Sequence, residues 1–151
     1  MGESTNRKDE RKDTEKPAVS NGTEGGPIRV VMVDDEDRFR TALAERLRMR
    51  GFEVWDVADG EEAVRLCRRE RPHVALVDRQ MPGLTGEQVL KEIKRVSPEV
   101  QVIILTGHAS FDAAQAAGRD EAFDFLEKPC DTDTLTERIE AAAVARKHAL
   151  A

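Results

Sequence analysis

Apolar side chains fall into two rhythms along this chain. Five short runs, at 28–33, 52–57, 73–77, 100–105 and 123–126, are rich in Val, Ile, Leu and Phe and read as buried strands. Between them the apolar positions recur every three or four residues, the period of a helix with one buried face. Phe39, Leu43 and Leu47, with Ala42 filling the stripe, predict a helix over 37–50 stopped by Gly51. Ala63, Val64 and Cys67 predict a second through 61–69, with Asp59 as N-cap and Pro72 beyond its end. Val89, Leu90, Ile93 and Val96 predict a third, opened by Thr85 or Gly86 and closed by Ser97-Pro98. Phe111, Ala114 and Ala117 outline a weaker, Ala-rich helix over about 110–117, with few large side chains to anchor it. A last helix from about 133, capped by Asp131 or Thr132, would turn Leu135, Ile139, Ala142 and Ala143 inward.

Strands alternating with helices predict an α/β fold, a doubly wound five-stranded parallel sheet with helices on both faces. The pattern covers 28–146. Residues 1–27 hold almost no apolar side chains and mix both signs of charge with Gly, Pro, Ser and Thr, which predicts a disordered charged tail. Residues 147–151 are expected to be a short C-terminal tail.

Composition narrows the function. The chain of 151 residues suits one domain, and its net charge of -6 argues against a nucleic-acid partner, whose affinity would rest on accumulated Lys and Arg. Cys67 and Cys130 lack metal-ligand spacing and read as reduced, partly buried thiols. No apolar run is long enough for a membrane span or a signal core, so a soluble cytoplasmic protein is expected.

Chemistry enters at the strand ends. If the strands are parallel, Asp34, Asp35, Asp78, Thr106 and Lys128 all arrive at one edge of the sheet, where α/β proteins bind ligands. Carboxylates without His or Cys suit a hard cation such as Mg²⁺. A metal, an ammonium and a hydroxyl around a carboxylate form a set suited to phosphoryl transfer, with the carboxylate as acceptor.

The segments IRVVMVDDE, HVALVDRQMPGLTG, VIILTGHAS and FDFLEKP, in this order and spacing, resemble the signature segments of the response-regulator receiver domain (CheY-like) of two-component signalling. The resemblance implies strand order 2-1-3-4-5, a flavodoxin-like arrangement. It implies that Asp78 takes a phosphoryl group from a sensor histidine kinase or histidine phosphotransfer protein. Asp35 would bind Mg²⁺ directly, Asp34 would assist through water, and the backbone carbonyl of Gln80 would complete the site. Thr106 and Lys128 would stabilise the phosphoryl group, and a cis bond before Pro129 would aim Lys128. Phe125 occupies the switch-aromatic position, and is expected to rotate inward as Thr106 moves. The fourth helix, fifth strand and fifth helix would then be reshaped for an unidentified downstream protein, with homodimerisation through that face as one outcome. Kinase docking is expected at the first helix and the loop of Lys128, Pro129 and Cys130. Gln80 and His108 are expected to tune phosphoryl lifetime, while His73 and His148 read as surface or strand-start residues.

This reading is of a stand-alone phosphoacceptor switch rather than an enzyme, since no output domain follows the last helix. The alternatives are a receiver fragment of a larger transcriptional or enzymatic regulator, an unphosphorylated pseudo-receiver, an aspartyl-phosphate phosphatase and a flavodoxin-like binding module. The phosphatase lacks its acid-any-acid pattern around Asp78. The flavodoxin-like module would need a phosphate-binding turn where Asp34, Asp35 and Glu36 would repel an anion.

Overall fold

The computed structural model describes residues 25–107 and 121–150. Five parallel strands, β1 (Arg29–Val33), β2 (Glu53–Val57), β3 (Val74–Asp78), β4 (Gln101–Thr106) and β5 (Asp124–Glu127), form one sheet in the order β2-β1-β3-β4-β5. The described helices are α1 (Asp37–Met49), α2 (Gly60–Glu70), α3 (Gly86–Val96) and α4 (Thr132–Leu150). The helix expected over 110–117, together with His108 and most of the amino-terminal tail, lies outside the described residues.

The apolar rhythms explain the layering. Alternate residues of β1 divide between two cores, as side chains on opposite faces of a strand must. Val30 and Met32 join Leu43, Leu47, Leu135 and Ile139 under α1 and α4. Val31 and Val33 join Ala63, Cys67, Val89, Leu90 and Ile93 under α2 and α3.

Three local expectations are corrected. Ala42 is exposed and Ala44 is buried in its place, because the stripe of α1 turns toward the sheet at 43, 44 and 47. The face of α2 includes Leu66, fully within the core, while Val64 is only partly buried. In addition, α4 continues through Leu150, so residues 147–150 prolong a helix rather than forming a separate tail.

Capping accounts for the helix starts. The Asp59 carboxylate accepts the Glu62 amide, and Thr85 and Gln88 form a reciprocal capping box ahead of α3. The Asp131 carboxylate accepts the Thr134 amide at 2.7 Å and opens α4. No described helix is long and apolar enough to cross a membrane.

His73 is not the surface residue its polarity suggests. It is buried just before β3, where its Nδ1 accepts the Arg29 amide at 3.0 Å and its own amide donates to the Arg29 carbonyl at 3.0 Å. A side-chain acceptor thus extends the β1–β3 pairing by one position.

Candidate phosphoacceptor site

Parallel register delivers the site. Val33 pairs with both Val57 and Val77, Asp78 pairs with Leu105, and Thr106 pairs with Glu127, so the carboxyl ends of the strands are level. Asp78 and Thr106 are the last residues of β3 and β4, while Asp34 and Lys128 follow directly on β1 and β5. Carboxylate oxygens of Asp34, Asp35 and Asp78 lie within 4.8 Å of one another. Asp34 and Asp78 are buried, whereas Asp35 is exposed.

Lys128 neutralises part of this charge. Its Nζ donates to Asp78 at 2.9 Å and to Asp34 at 3.1 Å, and lies 4.4 Å from the centre of the Phe39 ring. The peptide bond between Lys128 and Pro129 is cis. Burial pushes the Asp78 carboxyl above its usual range and the charges of Asp34 and Asp35 add to this, outweighing the opposing pull of Lys128. Burial alone would lower the Lys128 ammonium, but its hydrogen bonds to Asp78 and Asp34 and their charges raise it overall.

Asp34 is held at every polar atom of its backbone and side chain. Its amide donates to the Val57 carbonyl at 3.2 Å, its carbonyl accepts from Arg40 at 2.8 Å, and its Oδ1 accepts the Glu36 amide at 2.9 Å. Thr106 is buried, and its hydroxyl has a long 3.4 Å contact with the Gly107 carbonyl, a weak hold.

The loop after Asp78 is closed by backbone. The Arg79 amide donates to the Leu105 carbonyl at 2.9 Å, and its carbonyl accepts the Gly86 amide at 2.8 Å. Glycine at 86 permits this contact, because a Cβ there would stand 2.7 Å from the Arg79 Cα and 2.8 Å from the Asp78 carbonyl oxygen. Arg79 also forms a 2.6 Å ion pair with Glu87. Gln80 is exposed in this loop, and lines a pocket of about 440 Å³ with Arg79, Met81, Pro82, Thr85 and Glu87.

Phe125 is 6% exposed and packs in the core beneath α2 and α3. The ring thus lies inside the core, where hydrophobic burial favours it. Phe39 packs against the core as its spacing predicts and also lies under the Lys128 ammonium, while Arg40, by spacing an ordinary polar position of an amphipathic helix, bonds the Asp34 carbonyl.

Residues 30–140 match the model of the response regulator receiver domain family. The chain belongs to this family. The receiver is 36% identical over 116 residues to the transcriptional regulatory protein GlrR of Escherichia coli K12, a match covering 77% of this chain and 26% of that regulator. It is 37% identical over 113 residues to the DNA-binding transcriptional regulator NtrC of the same strain, covering 75% of this chain and 24% of that protein. This receiver thus spans about a quarter of the length of these curated relatives. Its structure resembles that of a response regulator receiver domain protein from Clostridium thermocellum, with a TM-score of 0.75 and 32% identity over 82% of this chain and 99% of that one. The receiver is accordingly a phosphoacceptor switch module of two-component signalling.

Proposed function

We propose that Asp78 accepts the phosphoryl group of this receiver from a histidine kinase or histidine phosphotransfer protein. The observation that carries this is the buried Asp78 carboxylate, set at the end of β3 between Lys128 at 2.9 Å and two acids within 4.8 Å. A carboxylate oxygen attacks the phosphorus of a phosphohistidine. The acyl phosphate P–O bond forms as the P–N bond breaks, and the departing imidazole regains a proton from solvent.

The donor set fits Mg²⁺, since it is all oxygen and already crowded with negative charge. Asp35, Asp78 and the Gln80 carbonyl would hold the ion directly, with Asp34 assisting through water. Bound there, it supplies positive charge against the phosphoryl oxygens. Lys128 exchanges its carboxylate partners for phosphoryl oxygens, and the weakly held Thr106 hydroxyl turns to donate to them. Because Phe125 is already buried, phosphorylation stabilises this inward position rather than creating it. The readout falls on the surface that includes β5 and α4, which an unidentified protein partner or a second copy would meet. Gln80 and His108 set the access of water to the acyl phosphate, and a cytoplasmic setting matches the donor.

Incubation with acetyl phosphate and Mg²⁺, followed by intact-mass measurement, tests this reading. Wild type gains one phosphoryl group and Asp78→Asn gains none. An equal gain by both proteins would refute Asp78 as acceptor.

A second reading concerns setting rather than chemistry. The curated relatives are transcriptional regulators of which the chain spans about a quarter, so the receiver would act on an output domain of the same polypeptide. Immunoblotting of source cells separates the readings, since a stand-alone receiver runs at 16.8 kDa and a larger regulator well above it.

A further inference from the structure

Arg40 lies on the first turns of α1, outside the acid cluster, yet its side chain is only 13% exposed. Its Nη1 donates to the Asp34 backbone carbonyl at 2.8 Å and to the Asp37 carboxylate at 2.8 Å. Its Nε donates to the Asp56 carboxylate on β2 at 3.2 Å. Asp56 is held in turn by Arg48, which reaches its other oxygen at 2.9 Å and also bonds the Val54 carbonyl at 2.8 Å. A chain of charge-assisted bonds therefore runs from the edge strand to the one carbonyl that joins Asp34 to Asp35.

That carbonyl belongs to a planar peptide unit, so its direction sets the plane from which Asp35 departs. Asp35 is exposed, and no described hydrogen bond holds its carboxylate. Its placement relative to Asp34 and Asp78 rests on its backbone. We infer that Arg40 is a positioning residue for cation binding: it is braced by Asp56 and Asp37 and orients the Asp34–Asp35 peptide so that Asp35 faces the site. This inference rests on the proposed Mg²⁺ site.

Charge and geometry make opposite demands here, which gives the idea a sharp test. Arg40 is a cation beside an acidic cluster, so its field alone weakens cation binding, and removing it would strengthen binding. Positioning predicts the reverse. An outer partner that orients a metal ligand is worth roughly tenfold or more in affinity.

The experiment is calorimetric titration of Mg²⁺ into the whole chain, with thermal unfolding to confirm folding and acetyl phosphate kinetics as a function of Mg²⁺. Arg40→Gln should bind Mg²⁺ about tenfold more weakly than wild type. Its phosphorylation rate at saturating Mg²⁺ should stay close to the wild-type rate. Asp56→Asn, which takes the charge and one acceptor oxygen from the brace but keeps Arg40, should weaken binding in the same direction by a smaller factor. Arg40→Lys should not restore affinity, since one ammonium cannot span the Asp34 carbonyl, Asp37 and Asp56 as the guanidinium does. Unchanged or tighter binding by folded Arg40→Gln would overturn the positioning role while leaving the metal site standing. Absence of Mg²⁺ binding by wild type would overturn the site and the positioning role together.

Discussion

Replacing Lys128 with methionine removes the only cation that, among the described residues, bonds the carboxylates of the acid cluster, and keeps a flexible apolar chain over Phe39. At the 2.9 Å separation from Asp78, two unit charges attract by about 6 kcal/mol at an effective dielectric of ~20. The side chain is 19% exposed and the ammonium must shed water to sit there, so the net loss is smaller. A destabilisation of about 3 kcal/mol at neutral pH without divalent cations is expected, as for other buried charges left without a partner.

The sign of the pH dependence follows from the two shifts. The Asp78 carboxyl is raised by burial first, then by Asp34 and Asp35, so its contribution to stability is full below the ordinary carboxylate value of 3.8 and is lost as pH rises through its folded value. Lys128 is raised despite burial, so its contribution is full below the ordinary 10.5 and is lost only in more alkaline solution. Lys128→Met deletes the main influence that keeps Asp78 ionised. The deficit should therefore be largest near neutrality and narrow as the solution is acidified toward the carboxylate range. Saturating Mg²⁺ should recover much of it, because a divalent cation bound to the folded state replaces the missing charge. Urea unfolding at pH 7.5 and pH 5, each with and without Mg²⁺, measures all of these. A loss below about 0.5 kcal/mol, typical of an exposed ion pair, or a loss independent of both pH and Mg²⁺, would refute the reasoning.

Asp78→Asn relieves repulsion while leaving an oxygen to accept from Lys128, so the metal-free variant should be about 1 kcal/mol more stable than wild type at neutral pH by urea unfolding. Gly86→Ala drives a Cβ to 2.7 Å from the Arg79 backbone, so it should destabilise by about 1–3 kcal/mol and slow acetyl phosphate labelling, read by denaturation and intact mass. Burial pushes the Cys67 thiol up to about 12, so timed alkylation at pH 8 followed by peptide mapping should modify half-buried Cys130 well before Cys67. Ser97→Ala removes the 3.0 Å bond from its buried hydroxyl to the Cys67 carbonyl and should cost about 1 kcal/mol in the same unfolding assay.

Much of the architecture is local in origin and was legible for that reason. Strand runs, helical stripes, the Asp59 and Thr85 caps and the stops at Gly51 and Ser97-Pro98 depend on side-chain periodicity and backbone preference within a few residues. The candidate site was legible because a parallel sheet sends every strand's carboxyl end to one edge, so Asp34, Asp78, Thr106 and Lys128 had to meet once the strands were known.

Tertiary structure decided what depends on partners distant in sequence. His73 is polar, and its burial followed only when the Arg29 amide, 44 residues away, offered Nδ1 a bond. Arg40 looks like any polar position of an amphipathic helix until β2 brings Asp56 beside it and β1 presents the Asp34 carbonyl. Whether Phe125 sits in or out is a matter of the space its neighbours leave, which no spacing rule contains. Periodicity by itself determined the strand runs, most of each helical stripe and where the acids emerge. Which backbone group each charge holds was settled only by packing, because hydrogen bonds and ion pairs act over a few ångströms and the chain must fold before those distances exist.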